Sequence, residues 1–217
     1  MKVEKLNIEN IEKLLHFEPS EKIFIRAIKG LRAKKEDIHQ RWIIRIICLI
    51  LGLIVGFNHD TVRIYQDSVE FSTDMLLAFF GIIFTGYSLL QAFMNKKMLI
   101  QLLIDEKKED NGETKSRLQD INENFTYLMT NILAYIIGSL VIRTIITCMP
   151  DDFCVFSNAT INSFCAAILI IIYYDFTGII LCRIVSFLTS IYHLFNIYAV
   201  TRLTEILDEE EKMKNEK

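Results

Sequence analysis

One acidic residue stands inside a segment that otherwise suits a lipid bilayer. Asp175 lies within ILIIIYYDFTGIILCR, residues 168–183, with apolar side chains on both sides. A lone carboxylate at the centre of a bilayer costs roughly 2.5 to 3.5 kcal/mol on insertion scales. Asp175 should therefore face protein or water, pair with a base, or carry a proton.

The depth of each charged residue within its span indicates which basic residue could pair with Asp175. On the helix rise, Asp175 lies about 10 Å inside one end of its apolar block, and Arg143 lies about 9 Å inside the opposite end of its own. Roughly 14 Å of depth separates the two, which disfavours that pair. Arg45 has only about 6 Å to bridge with a long side chain, so we expect Arg45 to be the partner. Arg143 should reach outward to an acid: Asp74, Asp151 or Asp152.

Asp175 belongs to a stripe of small and polar residues. At 100 degrees per residue, seven of them fall within about 60 degrees of one direction. They are Asp175, Gly178, Cys182, Ser186, Thr189, His193 and Asn196. The stripe could line a water-filled pathway or a seam between subunits. Alternatively, Asp175 is a paired core carboxylate, and the rest is the wet face of a cytoplasmic helix.

Other reactive or small residues give weaker signals. Gly52 and Gly56 have the GxxxG spacing that lets another helix approach closely, from a partner subunit or from another span. Cys148 and Cys154 would lie at the outer surface, where a disulfide is possible, although free thiols are the preferred interpretation. The chain has no CxxC or HExxH pattern, and its four histidines are scattered. We therefore expect no metal centre, no cofactor and no enzymatic activity.

Four apolar blocks position these residues. The chain has 217 residues, of which 52% are hydrophobic. Its apolar blocks cover residues 42–57, 75–94, 127–149 and 161–182. A span needs roughly 20 helical residues, so the first block is short and needs tilt, thinning or snorkelling of Arg41 and Arg45. The pattern predicts an all-α polytopic membrane protein with four transmembrane helices and cytoplasmic helical extensions.

The distribution of basic residues orients these spans. Ten Lys or Arg precede Trp42, and six lie in residues 95–126, whereas the connections at 58–74 and 150–160 carry only Arg63. Basic residues concentrate on the cytoplasmic side of a membrane. We therefore expect a bacterial inner-membrane protein with both termini in the cytoplasm. The net charge of −3 gives no reason to expect direct nucleic-acid binding.

The segments outside the spans are predicted to be helical. They are a cytoplasmic segment at 1–41, a helical hairpin at 95–126 that breaks at Asn111-Gly112, and a helix with an acidic tail at 183–217, around a transmembrane domain at 42–182. The last helix should continue from the fourth span without a break. A fifth span at 184–200 is the competing interpretation, and it would require a tight hairpin near Arg183.

The layout resembles one known family. The charged lead-in MKVEKLNIENIEKLLHFEPSEK, the four spans, and the amphipathic hairpin and tail are similar to the KwaA-like membrane subunits of the bacterial Kiwa anti-phage defence system. The resemblance implies an oligomeric membrane scaffold that senses envelope disturbance and holds a cytosolic DNA-binding partner. It assigns no role to any residue. We therefore expect a non-enzymatic homo-oligomer that contacts membrane lipids and a cytosolic protein; the alternative is an oligomeric ion channel with the Asp175 stripe lining its pore.

Overall fold

The described part of the chain consists of helices and one small β-ribbon. The computed structural model describes residues 19–31, 38–108, 114–149 and 155–215. In chain order, the elements are α1 (Ser20–Gly30), α2 (Ile38–Gly56), α3 (Thr61–Phe93), α4 (Lys96–Ile104), β1 (Glu106–Lys108), β2 (Thr114–Ser116), α5 (Arg117–Thr147) and α6 (Ala159–Asn215). The predicted all-α class is confirmed, and the ribbon is a local addition to it.

Among the described residues, three helices are long and apolar enough to cross a membrane. They are α3, α5 and the Ala159–Thr204 part of α6, with 33, 31 and 46 residues. Each exceeds the roughly 20 residues that a bilayer requires. α2 has 19 residues. That length corresponds to about 28 Å of helix, just short of a bilayer core. The fourth span therefore stays a prediction.

α6 continues through the position at which a fifth span would require a hairpin. It has 57 residues and passes through Arg183 as regular helix. Its sequence after Gly178 contains no glycine or proline, so nothing interrupts its hydrogen-bond ladder. The predicted continuation of the fourth block is confirmed, and the alternative with a turn near Arg183 is wrong.

α3 begins well before the second apolar block. The sequence placed residues 58–74 in an outer connection, whereas the helix starts at Thr61. A tight turn precedes it, in which the Asn58 side chain accepts the Asp60 amide at 3.0 Å and the Thr61 hydroxyl donates to the Asn58 carbonyl at 2.6 Å. Hydroxyls further along α3 bond to the carbonyl four residues earlier, at Ser68, Ser72 and Thr73. These bonds give the hydroxyl groups partners without interrupting the helix.

The connection between α3 and α5 is a hairpin, although not the helical one that the sequence predicts. Helices were expected over residues 95–108 and 115–125. Instead, α4 ends at Ile104, and β1 pairs antiparallel with β2. The predicted break at Asn111-Gly112 lies outside the described residues.

Two side chains set the ends of α4. Asn95 precedes the helix, and its side-chain oxygen accepts the Met98 amide at 2.8 Å, which satisfies a free amide of the first turn. Asp105 follows the helix with extended backbone angles, and its carbonyl accepts the Arg117 amide at 2.8 Å. The chain therefore leaves helix at Asp105 and enters the ribbon, because a cross-strand bond replaces the next helical one.

The chain divides into two compact units, each built from distant segments. The hairpin unit consists mainly of the described parts of Ile83–Thr126 and Ser186–Lys217, and the seam unit of Glu21–Ile82 and Tyr127–Val185. The hairpin unit has a buried apolar core: Leu90, Met98, Leu102 and Leu194. The predicted domains at 1–41, 42–182 and 183–217 follow membrane boundaries and stay a prediction.

Candidate functional site

Within the seam unit, α2 and α6 pack closely along small residues. A Cβ atom built on Gly56 would lie 2.5 Å from the Cα atom of Ala167. One built on Gly52 would lie 3.1 Å from the backbone nitrogen of Ile171. Only a residue without a Cβ allows such an approach. The structure therefore places both glycines of the GxxxG pair against another helix of the same chain.

This helix contact brings Arg45 to Asp175. The Arg45 Nε atom lies 3.4 Å from Asp175 Oδ1, and the two side chains are 53% and 30% exposed. Nearby, the Cys48 thiol donates to the Tyr174 carbonyl at 3.3 Å. Asp175 Oδ1 is buried and makes no hydrogen bond with the described residues, so the pair is an ionic contact without hydrogen-bond geometry.

The polar stripe on α6 has two different environments. Near Asp175, both Gly178 and Cys182 are buried, and a Cβ on Gly178 would lie 2.5 Å from a methyl group of Ile44. The remaining members are exposed: Ser186, Thr189, His193 and Asn196. The first part of the stripe is thus a helix contact, and the second part is surface.

A hydroxyl cluster, which the sequence analysis missed, joins α5 to α6 in the seam unit. The hydroxyls of Tyr135 and Thr177 lie 2.7 Å apart, and those of Ser139 and Tyr173 lie 3.1 Å apart. All four residues are buried. A buried hydroxyl without a partner is costly, so these pairs hold the two helices in one register.

The hydroxyl cluster extends to α3. Tyr174 donates its hydroxyl to the Ser68 hydroxyl at 2.9 Å, and Ser68 donates onward to the Ile64 carbonyl at 2.7 Å. The Tyr65 ring packs edge-on against Tyr173, with 5.6 Å between ring centroids. The cluster, defined as Ser68, Tyr135, Ser139, Tyr173, Tyr174 and Thr177, therefore links three helices.

The sequence does contain a signal for this cluster. Each of the three helices carries two hydroxyl residues four positions apart, and that spacing puts both on one helix face. The pairs are Ser68 and Ser72, Tyr135 and Ser139, and Tyr173 and Thr177. Polar residues on matching faces of apolar helices indicate helix-to-helix hydrogen bonds.

Arg143 pairs with an acid that the sequence analysis did not consider. Its Nη2 atom lies 3.1 Å from Glu70 Oε2, and both side chains are about half exposed. Glu70 is in reach because α3 is already helical there, whereas the prediction placed that segment in a loop. Of the expected partners, Asp151 and Asp152 lie outside the described residues.

Three side chains of the seam unit hold the C-terminal end of α1, and we call them the latch. They donate to its last carbonyls: Asn131 to Ala27 at 3.0 Å, Arg41 to Leu31 at 2.6 Å, and Arg183 to Gly30. The last carbonyls of a helix have no partner within the helix, and cations are favourable there. Snorkelling of Arg41 was one of three expected ways to accommodate the short first span, but Arg41 is only 8% exposed and serves this carbonyl.

The hairpin unit carries an open groove of about 980 Å³. Its lining comes from α4, the residue after it, the first residue of α5, and α6: Gln101, Leu102, Ile104, Asp105, Arg117, His193, Asn196, Ile197, Val200 and Thr201. Arg117 pairs with Asp105 at 3.1 Å, and the Thr201 hydroxyl donates to Gln101 at 3.3 Å. The groove thus combines apolar and polar side chains, and its lining includes two residues of the predicted stripe, His193 and Asn196.

The remaining candidates give no reactive centre in the described part of the chain. Cys148 is exposed, and Cys154 lies outside the described residues, so their disulfide stays a prediction. Described His, Cys, Asp and Glu residues form no group of three that could hold a metal ion. Several of the described polar residues hold helices together, and others line the groove.

Comparison of the chain with protein-family models, with curated proteins and with solved structures gave no match. The functional proposal below therefore rests on the chain's own residues and on the layout of its sequence.

Proposed function

We propose that this protein is a non-enzymatic oligomeric membrane scaffold or sensor that recruits a cytosolic protein. Its four helices cross the bacterial inner membrane with both termini in the cytoplasm. The groove of the hairpin unit is the docking site. The observation that carries this proposal is the lining of that groove, which combines exposed Val200 with the charged pair of Asp105 and Arg117. Protein-binding surfaces usually combine apolar side chains with polar groups.

Co-purification in mild detergent from the native host tests the docking site. Val200→Arg places a long charged side chain in the groove and should reduce recovery of the partner at least about ten-fold, the loss of a central contact. Phe195→Arg is the matched control, because Phe195 is exposed on the same helix but does not line the groove. Equal recovery with both variants, or a wild-type protein that emerges alone, would contradict the proposal.

The proposed biological setting is anti-phage defence. It is supported by the sequence layout, with its charged lead-in, apolar blocks and amphipathic tail. Expression together with the cytosolic partner recovered by co-purification should lower phage plating efficiency, and Val200→Arg should remove that protection while the protein remains in the membrane. Unchanged plating with wild-type protein would count against this setting.

An oligomeric ion channel is the second candidate. One observation favours it: Asp175 keeps 30% of its side chain exposed within an otherwise apolar block, where a second copy or water could reach it. Burial of Gly178 and Cys182 restricts the wet part of the stripe to its ends. Asp175→Asn should alter ion flux in liposomes if Asp175 lines a pore, whereas unchanged flux with intact assembly rejects the channel.

A further inference from the structure

α1 presents three different faces. The first packs on the rest of the seam unit through buried Ala27, and Leu31 directly after the helix is buried as well. The second is exposed and mainly apolar: Phe24, Ile25 and Ile28 are 43%, 51% and 47% exposed, and Glu21 lies on the same side in the first turn. At 100 degrees per residue, the third face is basic and borders the second: Lys22, Arg26 and Lys29.

The three side chains of the latch fix the position of the C-terminal end of α1. Arg41 holds the carbonyl that follows α1, and it directly precedes Trp42, at which the apolar stretch of α2 begins. Arg183 holds the Gly30 carbonyl, and it directly follows the fourth apolar block. Both arginines stand where charged sequence meets apolar sequence. The end of α1 is therefore pinned at the level of a membrane boundary.

The charge and the exposed apolar face of α1 match an anionic lipid surface. With three basic residues and one acidic residue, the helix carries a net charge of +2. A helix with an apolar face and a basic face lies in the headgroup layer, with its apolar side chains at the acyl boundary. Lysines that flank such a face extend to the lipid phosphates, which attract them.

We propose that α1 is a lipid-binding element that lies in the anionic cytoplasmic leaflet. Phe24, Ile25 and Ile28 enter the acyl boundary, and Lys22 and Lys29 bind lipid phosphates. Because the latch joins α1 to α2, α5 and α6, this element attaches the membrane surface to the helices of the seam unit. The proposal is independent of the cytosolic partner.

Tryptophan fluorescence of the full chain in nanodiscs tests this site. The chain has one tryptophan. In a Trp42→Phe background, Phe24→Trp reports on the apolar face, Ile28→Trp is a second reporter on that face, and Lys22→Trp is the control on the basic face. Quenching by lipids brominated on the acyl chain reports membrane contact, and quenching by acrylamide reports water.

In nanodiscs that contain phosphatidylglycerol, bromolipid should quench Phe24→Trp and Ile28→Trp strongly, and acrylamide should quench them about three-fold less than Lys22→Trp. Lys22→Glu with Lys29→Glu should raise acrylamide quenching of the Phe24→Trp reporter. If acrylamide strongly quenches both reporters in the chain without the two glutamate substitutions, the apolar face of α1 lies in water, and the proposal is overturned. Reporters shielded from both quenchers would be covered by protein, which overturns it equally.

Discussion

Each of the two compact units is stabilised internally by a different kind of contact. In the seam unit, α2 meets α6 at glycines, and α5 meets α6 through paired hydroxyls. In the hairpin unit, Leu90, Met98, Leu102 and Leu194 form an apolar core. Surface ion pairs and helix caps surround that core. Close packing and hydrogen bonds are the contacts that hold helices together in lipid, whereas an apolar core is the contact that water favours.

Because the hairpin unit depends on its apolar core, we expect substitution of Leu194 to cause the largest loss of stability. Leu194 is 2% exposed in the core of the hairpin unit. Leu194→Ala should destabilise that unit by about 2 to 5 kcal/mol, through lost burial and the cavity that remains. Hydrogen exchange of α4 amides is the measurement. Leu188→Ala, at an exposed position of the same helix, should change it little, and similar exchange in both variants would refute the apolar core.

A second change tests the close approach in the seam unit. In Gly56→Ala the new methyl group meets the Ala167 backbone, at 2.5 Å from Cα and 2.9 Å from N. Backbone atoms cannot move away from the methyl group by rotating about a bond as a side chain can. We therefore expect the free energy of unfolding in detergent to fall by about 1 to 3 kcal/mol. Gly138→Ala is the control, because no atom lies within 4 Å of its added methyl group. If both variants unfold alike, the α2–α6 contact is not tight.

The hydroxyl cluster should give an intermediate effect. Tyr135→Phe removes the 2.7 Å bond to Thr177 and keeps the ring. Hydrogen bonds between helices in membrane proteins contribute about 0.6 to 2 kcal/mol, so a loss of that size is expected in the same unfolding assay. Tyr192→Phe removes a hydroxyl from an exposed ring and should be neutral. A neutral Tyr135→Phe would show that the cluster does not hold α5 to α6.

The smallest effect should come from the ion pair at the groove. Arg117 and Asp105 are both well exposed, at 41% and 57%. Exposed pairs contribute roughly 0 to 1 kcal/mol and are screened by salt. Arg117→Gln should therefore change stability by less than Tyr135→Phe, and raised salt should remove the difference. A larger loss that persists at high salt would mean that this pair is structural.

Helical pattern and depth could be predicted from sequence because both depend on local spacing. The continuation of α6 through Arg183 follows from the absence of helix breakers. The depth count also favoured Arg45 over Arg143 as the neighbour of Asp175, and the structure places Arg45 there. The depth count identified Arg45 because the rise per residue is nearly constant in any α-helix.

Features that depend on a distant partner could not be predicted. The polar start of α3 resembles a loop in sequence, and only its contacts with other helices, such as the pair of Glu70 and Arg143, explain its place. Snorkelling towards the lipid headgroups was considered for Arg41 because no local sequence pattern predicts its hydrogen bond to the Leu31 carbonyl. The ribbon was missed because three-residue strands carry almost no pattern of their own.

Site-specific photo-crosslinking in native membranes tests the proposed function most directly. A photoreactive amino acid at Val200 projects into the groove, and the same residue at Phe195 lies on the helix outside it. We predict a crosslinked adduct between this chain and a soluble cytosolic protein from Val200, and none from Phe195. Adducts from neither position, or from Val200 only to a second copy of this chain, would contradict the role of the groove in recruiting a partner.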